Sequence, residues 1–152
     1  MIKQIKRWFE TAKPNPTDAD RLVQMGCHFE EVYEMTQALQ PDDGIAELMD
    51  IAEEFKSIDT ETSGDAVKEF FNNVNEVELL DALCDQIVTA VGVAHMMGFD
   101  IESALAEVNR SNWSKFENGK PVFDNNGKIK KGADYEPPKL QKLVGVMGDE
   151  VC

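Results

Sequence analysis

Apolar residues recur every three or four positions along most of this chain, a pattern typical of helices that bury one face. The pattern is broken by the Lys-Pro-Asn-Pro segment at 13–16 and by the Gln-Pro-Asp-Asp-Gly segment at 40–44, which cannot continue a helix. Gly98 is typical of a residue that follows the end of a helix. We therefore predict four helices, over 17–39, 45–58, 65–97 with an interruption near 72–73, and 100–111.

The third predicted helix is apolar on most sides between Leu79 and Val88. A helix without a broad polar face is usually buried by its neighbours. We therefore predict that it is the central helix of a bundle.

Helical periodicity stops after Phe116. Asn126-Gly127 lies between short apolar segments and is typical of a type I′ β-hairpin turn, and Pro137-Pro138 indicates extended chain. We predict one all-α domain over 1–152, with a four-helix-bundle-like core at 17–116 and a small C-terminal β-hairpin arm at 117–152.

The charge of the chain is strongly acidic and unevenly distributed. Its 152 residues include 15 basic and 29 acidic side chains, a net charge of −14, which argues against nucleic-acid or anionic-membrane binding. Between residues 18 and 107 there are 22 acids and only three basic residues, whereas residues 108–152 carry eight basic residues and six acids. The acidic helices and the mildly basic tail need separate explanations.

The three cysteines are scattered and form no CxxC pair, and no apolar run approaches the length of a membrane span. No signal-peptide pattern opens the chain. We expect a reduced cytoplasmic protein; the resemblance described below implies the host cytoplasm if the protein is phage-encoded.

Two groups of carboxylates lie on predicted helices. Glu31 and Glu34 share a face of the first predicted helix, and Glu30 lies beside them. Glu78 and Asp81 share a face of the third predicted helix, and Asp85 lies on the same face. For the first group taken alone, a solvated acidic face is the favoured interpretation. The second group stands in an apolar helix with almost no basic residues nearby, so a divalent cation is the better counter-charge. Carboxylate oxygens favour Mg²⁺ or Mn²⁺ over Zn²⁺.

The segments Glu30-Glu-Val-Tyr-Glu34 and Glu78-Leu-Leu-Asp81 resemble the EExxE…ExxD signature of the MazG-like all-α nucleoside triphosphate pyrophosphohydrolases. The downstream segments 107–115 and 124–140 are similar to the phage and bacterial branch of that superfamily, which is related to phosphoribosyl-ATP pyrophosphohydrolases and dimeric dUTPases. The resemblance covers roughly residues 20–140.

The resemblance implies a MazG-type fold and hydrolysis of a nucleoside triphosphate at the α-phosphorus, with a deoxynucleotide such as dGTP favoured. It implies two or more Mg²⁺ or Mn²⁺ ions and a homodimer or homotetramer. The implied metal ligands are Glu31, Glu34, Glu78 and Asp81, with Glu30 or Glu34 orienting the attacking water.

The basic tail supplies candidate substrate contacts. Asn109, Asn112 and Lys115 recur at three-residue spacing, and Lys115 is the first candidate for the β- and γ-phosphates. Four lysines on or beside the predicted hairpin are further phosphate candidates, of which at least two are better explained as solvated side chains: Lys120, Lys128, Lys130 and Lys131. Trp113 and Tyr135 are candidates to stack on the base, although core packing explains Trp113 equally well.

A second ExxD, Glu47-Leu-Met-Asp50, follows Glu34 after a gap of twelve residues, whereas Glu78 follows after a gap of forty-three. We prefer Glu78 and Asp81 because their downstream context matches the family, and we interpret Glu47 and Asp50 as the wet face of an amphipathic helix. Three alternatives stay open: a non-catalytic metal- or nucleotide-binding module, an acidic adaptor, and a phosphoribosyl-ATP pyrophosphohydrolase.

Overall fold

A computed structural model describes residues 1–39, 46–60, 62–124 and 127–145. These residues form six helices and no β-strand, which confirms the all-α prediction. The helices are α1 (Ile2–Ala12), α2 (Asp18–Leu39), α3 (Ala46–Ser57), α4 (Gly64–Asn73), α5 (Glu76–Met96) and α6 (Ile101–Trp113).

The predicted helix ends are set by side chains that cap the backbone. At the start of α2 the Asp20 amide donates to Thr17 Oγ1 at 3.2 Å, and the Thr17 amide donates to Asp20 Oδ2 at 2.8 Å. This reciprocal pair is a capping box with Asp in the place of Glu. Asn75 and Asp100 cap α5 and α6 in the same way, by accepting from the amides three residues ahead. The interruption predicted near residues 72–73 therefore separates α4 from α5.

Helix α1 was not predicted. Its Trp8 is buried, stacks on Phe116 with ring centroids 5.6 Å apart, and donates from Nε1 to the Asn112 carbonyl at 2.9 Å. The signal was present in the sequence, because Ile5, Trp8 and Ala12 follow helical spacing. Helix α1 thus packs against α6.

The C-terminal β-hairpin is not confirmed. Phe123 and Ile129 form an isolated antiparallel bridge, and the Asp124 amide donates to the Lys128 carbonyl at 2.9 Å. The chain reverses here without forming strands in its described part. The predicted Asn126-Gly127 turn lies partly outside the described residues, which exclude Asn126.

Contacts divide the chain into two compact units, and the single domain predicted over 1–152 stays a prediction. Unit 1 contains Met1–Ala12, Asn73–Val122 and the chain from Lys131 onward; unit 2 contains Lys13–Asn72 and Phe123–Lys130. Unit 1 therefore holds α1, α5 and α6, and unit 2 holds α2, α3 and α4. Each unit is assembled from segments that are distant in sequence.

The prediction that the apolar third helix is central and buried is wrong for the single chain. The helix corresponds to α5, and every residue from Glu76 to Val91 is exposed. Ala94 is the one buried residue of α5, all of which lies in the described part of the chain. None of the helices in that part combines the length and apolar character that a bilayer crossing requires.

Candidate functional site

The site in unit 2 is built on the packing of α2 against α3. Phe29 stacks on Phe55 with ring centroids 5.7 Å apart, and the two residues are nearly equidistant from the 40–45 connection. Gly26 lies so close to α3 that a Cβ atom there would stand 2.6 Å from the Ala52 carbonyl oxygen. The two helices are therefore in close backbone contact.

Two lysine side chains contact the carboxylate of Glu30 on α2. Lys128 Nζ donates to Glu30 Oε2 at 2.5 Å, and Lys56 Nζ of α3 lies 3.6 Å from the same oxygen. Burial alone raises the pKa of Glu30, but the hydrogen bond and charge of Lys128, with the charge of Lys56, outweigh it and hold that pKa below its ordinary value. Glu30 is thus an ionised counter-ion and a weak base.

The Lys128 ammonium is held in its charged form by the same contact. Burial lowers its pKa, but the hydrogen bond to Glu30 and the nearby acids raise it above its ordinary value overall. The position of Lys128 depends on the chain reversal at 123–130, where Lys13 Nζ also lies 4.1 Å from the Phe123 ring centroid. Lys128 is one of the hairpin lysines that the sequence offers to a polyphosphate, but its contact with Glu30 was not predicted, nor was Lys56, because both contacts depend on tertiary packing.

A cavity of about 770 Å³ lies in unit 2 beside these lysines. Its volume falls in the range of small-molecule sites. Val23, Phe55 and Ile58 give it apolar walls, and Lys56 and Lys128 place two cations on its lining. Its lining also contains four carboxylates, those of Asp20, Glu53, Asp59 and Asp124.

Glu31 and Glu34, the predicted metal ligands of α2, are exposed. Glu47 and Asp50 lie on α3, the helix that packs against α2 within unit 2, and both are exposed. The second ExxD segment therefore lies on a helix that packs against α2, and the choice between the two ExxD pairs stays a prediction.

Glu78 and Asp81 lie on α5, which belongs to unit 1. Both are exposed, so the predicted ligands are divided between the two units. Over the ranges that the structure describes, no three Asp, Glu, His or Cys side chains form a group suited to a metal ion. The donor chemistry of the α2 carboxylates nevertheless fits a hard divalent cation, which prefers oxygen ligands.

The predicted substrate contacts of α6 also belong to unit 1. Asn109 and Trp113 line a cavity of about 370 Å³ together with Gln4 and Arg7 of α1. Trp113 packs edge-on against Phe116, with ring centroids 5.3 Å apart. Arg7 adds a cation that the sequence reasoning missed because it did not predict α1.

The remaining predicted contacts lie at the end of α6 and in the tail. Asn112 accepts from Trp8 through its backbone carbonyl, so that contact is structural. Lys115 is half-buried just after α6. Lys131 Nζ lies 5.1 Å from the Tyr135 ring centroid, so one face of the proposed stacking residue already meets a cation.

A separate ionic network fixes the tail of unit 1. Arg110 bonds both carboxylate oxygens of Glu107 at 2.9 Å and reaches Glu136 Oε2 at 3.1 Å. The hydrogen bonds from Arg110, with one from the Lys139 amide, lower the pKa of Glu107 to about 2. These residues hold the extended segment against α6.

Searches of protein-family models, curated proteins and solved structures found no match to this chain.

Proposed function

We propose that the protein is an Mg²⁺- or Mn²⁺-dependent hydrolase that cleaves a nucleoside triphosphate, preferably a deoxynucleotide such as dGTP, at the α-phosphorus. The products are a nucleoside monophosphate and pyrophosphate. The observation that carries the proposal is the cavity of unit 2, which has the size of a small-molecule site and carries Lys56 and Lys128 on its lining. It adjoins the helix that carries the EExxE segment.

In this proposal the two lysines and the carboxylates of α2 have different roles. Lys56 and Lys128 bind the polyphosphate, and Glu30 holds both ammonium groups in position when substrate is absent. The low pKa of Glu30 makes it unsuited to accept a proton from water. We therefore assign it positioning and leave the base to Glu34, which lies one turn further along the same face.

Glu31 and Glu34 would hold the divalent ion together with one ExxD pair. The family resemblance favours Glu78 and Asp81, but Glu47 and Asp50 lie on the helix that packs against α2 within the same unit. We propose the α3 pair for that reason. When bound, a divalent ion supplies charge neutralisation at the phosphoryl oxygens and lowers the pKa of a bound water.

The decisive experiment is to identify the products. Each dNTP and NTP is incubated with the protein in Mg²⁺ or Mn²⁺, and nucleotides, pyrophosphate and orthophosphate are resolved by chromatography. We expect a monophosphate and pyrophosphate, and no turnover in excess EDTA. A diphosphate with orthophosphate as the first products, or full activity in EDTA, would contradict the proposal.

A parallel measurement of thermal unfolding separates the enzyme from a binding module. A ligand that binds the folded state raises its stability by mass action. Stabilisation by Mn²⁺ and a nucleotide without product formation would favour the non-catalytic module. The absence of both effects would favour an acidic adaptor.

A further inference from the structure

Unit 1 contains a cleft between α1 and α6 that the proposed hydrolase does not use. Its volume is about 370 Å³. Two side chains from each helix line it: Gln4 and Arg7 of α1, and Asn109 and Trp113 of α6. Trp8 holds the two helices together, because its indole stacks on Phe116 and donates to the Asn112 carbonyl. The cleft is therefore formed before any ligand binds, as in most small-molecule sites. We name it the α1–α6 cleft.

The polar groups that line the α1–α6 cleft do not bind one another. Among the residues that the structure describes, the Arg7 guanidinium forms no ion pair. Within the same ranges, the side-chain amides of Gln4 and Asn109 and the indole N–H of Trp113 form no hydrogen bond. Several polar groups that converge on one cleft are typical of a ligand site, because each can exchange a hydrogen bond to water for one to the ligand.

The charge of the α1–α6 cleft is opposite to that of the chain. The chain has 29 acidic and 15 basic side chains, and four carboxylates line the cavity of unit 2. The described lining of the α1–α6 cleft instead contains one guanidinium and no carboxylate. A guanidinium donates two parallel hydrogen bonds to one phosphate or carboxylate group. The cleft also has a volume near the lower end of the range for small-molecule sites, about 300–1,000 Å³. It therefore fits a small ligand with a single anionic group.

We propose that the α1–α6 cleft binds a nucleoside monophosphate, which is a flat heterocycle that carries one phosphate group. Arg7 binds the phosphate, and the indole of Trp113 stacks on the base. The amides of Gln4 and Asn109 each have a donor and an acceptor, so they bond to the polar edge of the base or to the sugar.

This assignment differs from the one that the family resemblance implies, in which Asn109 and Trp113 contact a triphosphate substrate. Here the phosphate ligand is Arg7, on a helix that lies outside the resembling residues 20–140. The site needs no metal ion and does not depend on the hydrolase proposal.

The first test is equilibrium dialysis of the whole chain in excess EDTA, where a failure of the metal-dependent hydrolase cannot affect the result. Each deoxynucleoside monophosphate is compared with its nucleoside, with its triphosphate and with inorganic phosphate. We expect at least one monophosphate to bind about tenfold or more tightly than its nucleoside or phosphate alone, and no less tightly than its triphosphate. The absence of binding at millimolar concentration, or equal binding of the monophosphate and either of its parts, would overturn the proposal.

The second test removes the cation. Arg7→Gln should weaken binding of the monophosphate about tenfold or more, because the phosphate loses a charge-assisted pair of hydrogen bonds. Arg7→Lys should restore part of that loss, since an ammonium keeps the charge but not the planar fork. The control is Lys6→Gln, which removes the same charge from α1 at a side chain that is 75% exposed and does not line the cleft. Equal weakening by Arg7→Gln and Lys6→Gln would show an effect of net charge alone and overturn the proposal.

The third test places the base. The chain contains two tryptophans, and Trp8 is buried with its indole N–H bonded to Asn112, so a stacked base should quench the fluorescence of Trp113. Wild type should lose emission over the concentrations at which dialysis shows binding. Trp113→Phe should lose the quenching while it keeps weakened binding, since a phenyl ring still stacks. Quenching that persists in Trp113→Phe, or binding without quenching in wild type, would place the base elsewhere and overturn the proposal.

Discussion

At the scale of single residues, Glu30 shows how one contact changes a predicted role. The motif made it a candidate to orient or deprotonate water, whereas the structure gives it two ammonium partners on one carboxylate oxygen. A carboxylate held in this way stays ionised and orients cations. The capping residues Asn75 and Asp100 act locally and follow from sequence rules, but Lys128 lies 98 residues from Glu30 and its contact does not.

Lys128→Ala should reduce the acid sensitivity of stability. A carboxyl whose pKa is lowered on folding stabilises the folded state above its ordinary pKa of 4.5, and this contribution is lost as the pH falls through that value toward the folded one. Removing Lys128 brings the pKa of Glu30 back toward its ordinary value, so unfolding free energy should fall less steeply with acidification in the variant. Denaturant unfolding between about pH 6 and pH 3 measures the slope.

Lys130→Ala is the matched control, because Lys130 is exposed on the same segment. It should keep the wild-type slope. If both variants titrate like wild type, the ion pair does not stabilise the folded state.

Gly26→Ala should destabilise the protein although it is a helix-favouring change. The added Cβ would stand 2.6 Å from the Ala52 carbonyl oxygen and 2.7 Å from Lys56 Cγ, so α2 and α3 must separate. Overpacking costs about 1–3 kcal/mol, against a gain of about 1 kcal/mol in helix propensity. We expect a net loss of up to about 2 kcal/mol in urea unfolding.

Gly92→Ala provides the opposite case. No described atom lies within 4 Å of a Cβ added at Gly92, so the substitution should be neutral or stabilising by up to about 1 kcal/mol. Equal gains from both substitutions would show that α2 and α3 do not pack as closely as the structure indicates.

At the scale of elements, local periodicity predicted the helices well but not their partners. The bounds of α2, α3 and α6 lie within about two residues of their predictions, because capping residues and prolines encode them. Helix α1 was not predicted, because its apolar stripe is short and is followed at once by the helix-breaking prolines. The burial of α5 was predicted wrongly. The apolar side chains of a helix favour burial, but the sequence of the helix does not indicate which other surface packs against them.

Which of the two ExxD segments binds the metal ion is a prediction about helices, since one segment lies on α3 and the other on α5. Glu47→Gln with Asp50→Asn should lower turnover roughly a hundredfold, the scale of losing a key electrostatic group. The same change should abolish stabilisation by Mn²⁺, which can be measured without turnover. Glu54→Gln, at another exposed acid of α3, is the control and should have little effect.

Glu78→Gln with Asp81→Asn is the competing variant. If it removes both activity and stabilisation by Mn²⁺ while the α3 variant retains them, the ligands belong to α5, as the family context favours. A loss in both variants would show that each pair contributes to the site.

At the scale of the whole molecule, the two units interleave along the chain. Unit 1 joins the first twelve residues to segments that begin at residue 73, and unit 2 joins 13–72 to 123–130. The Lys-Pro-Asn-Pro segment directly follows residue 12, but residue 130 has no comparable mark, so the sequence alone does not indicate this division into units. Only tertiary contacts such as Trp8 with Phe116 reveal the division.

The interleaving sets an order for assembly during synthesis. Helices α2 and α3 are close in sequence and can pair as soon as they leave the ribosome. The segment 123–130 emerges more than fifty residues later, a delay of about 3–12 s at ordinary translation rates. During that interval Glu30 can meet Lys56 but has no Lys128. Unit 2 is therefore complete only when Lys128 has been added. A translational pause between residues 73 and 122 would prolong the time during which the cavity lacks Lys128.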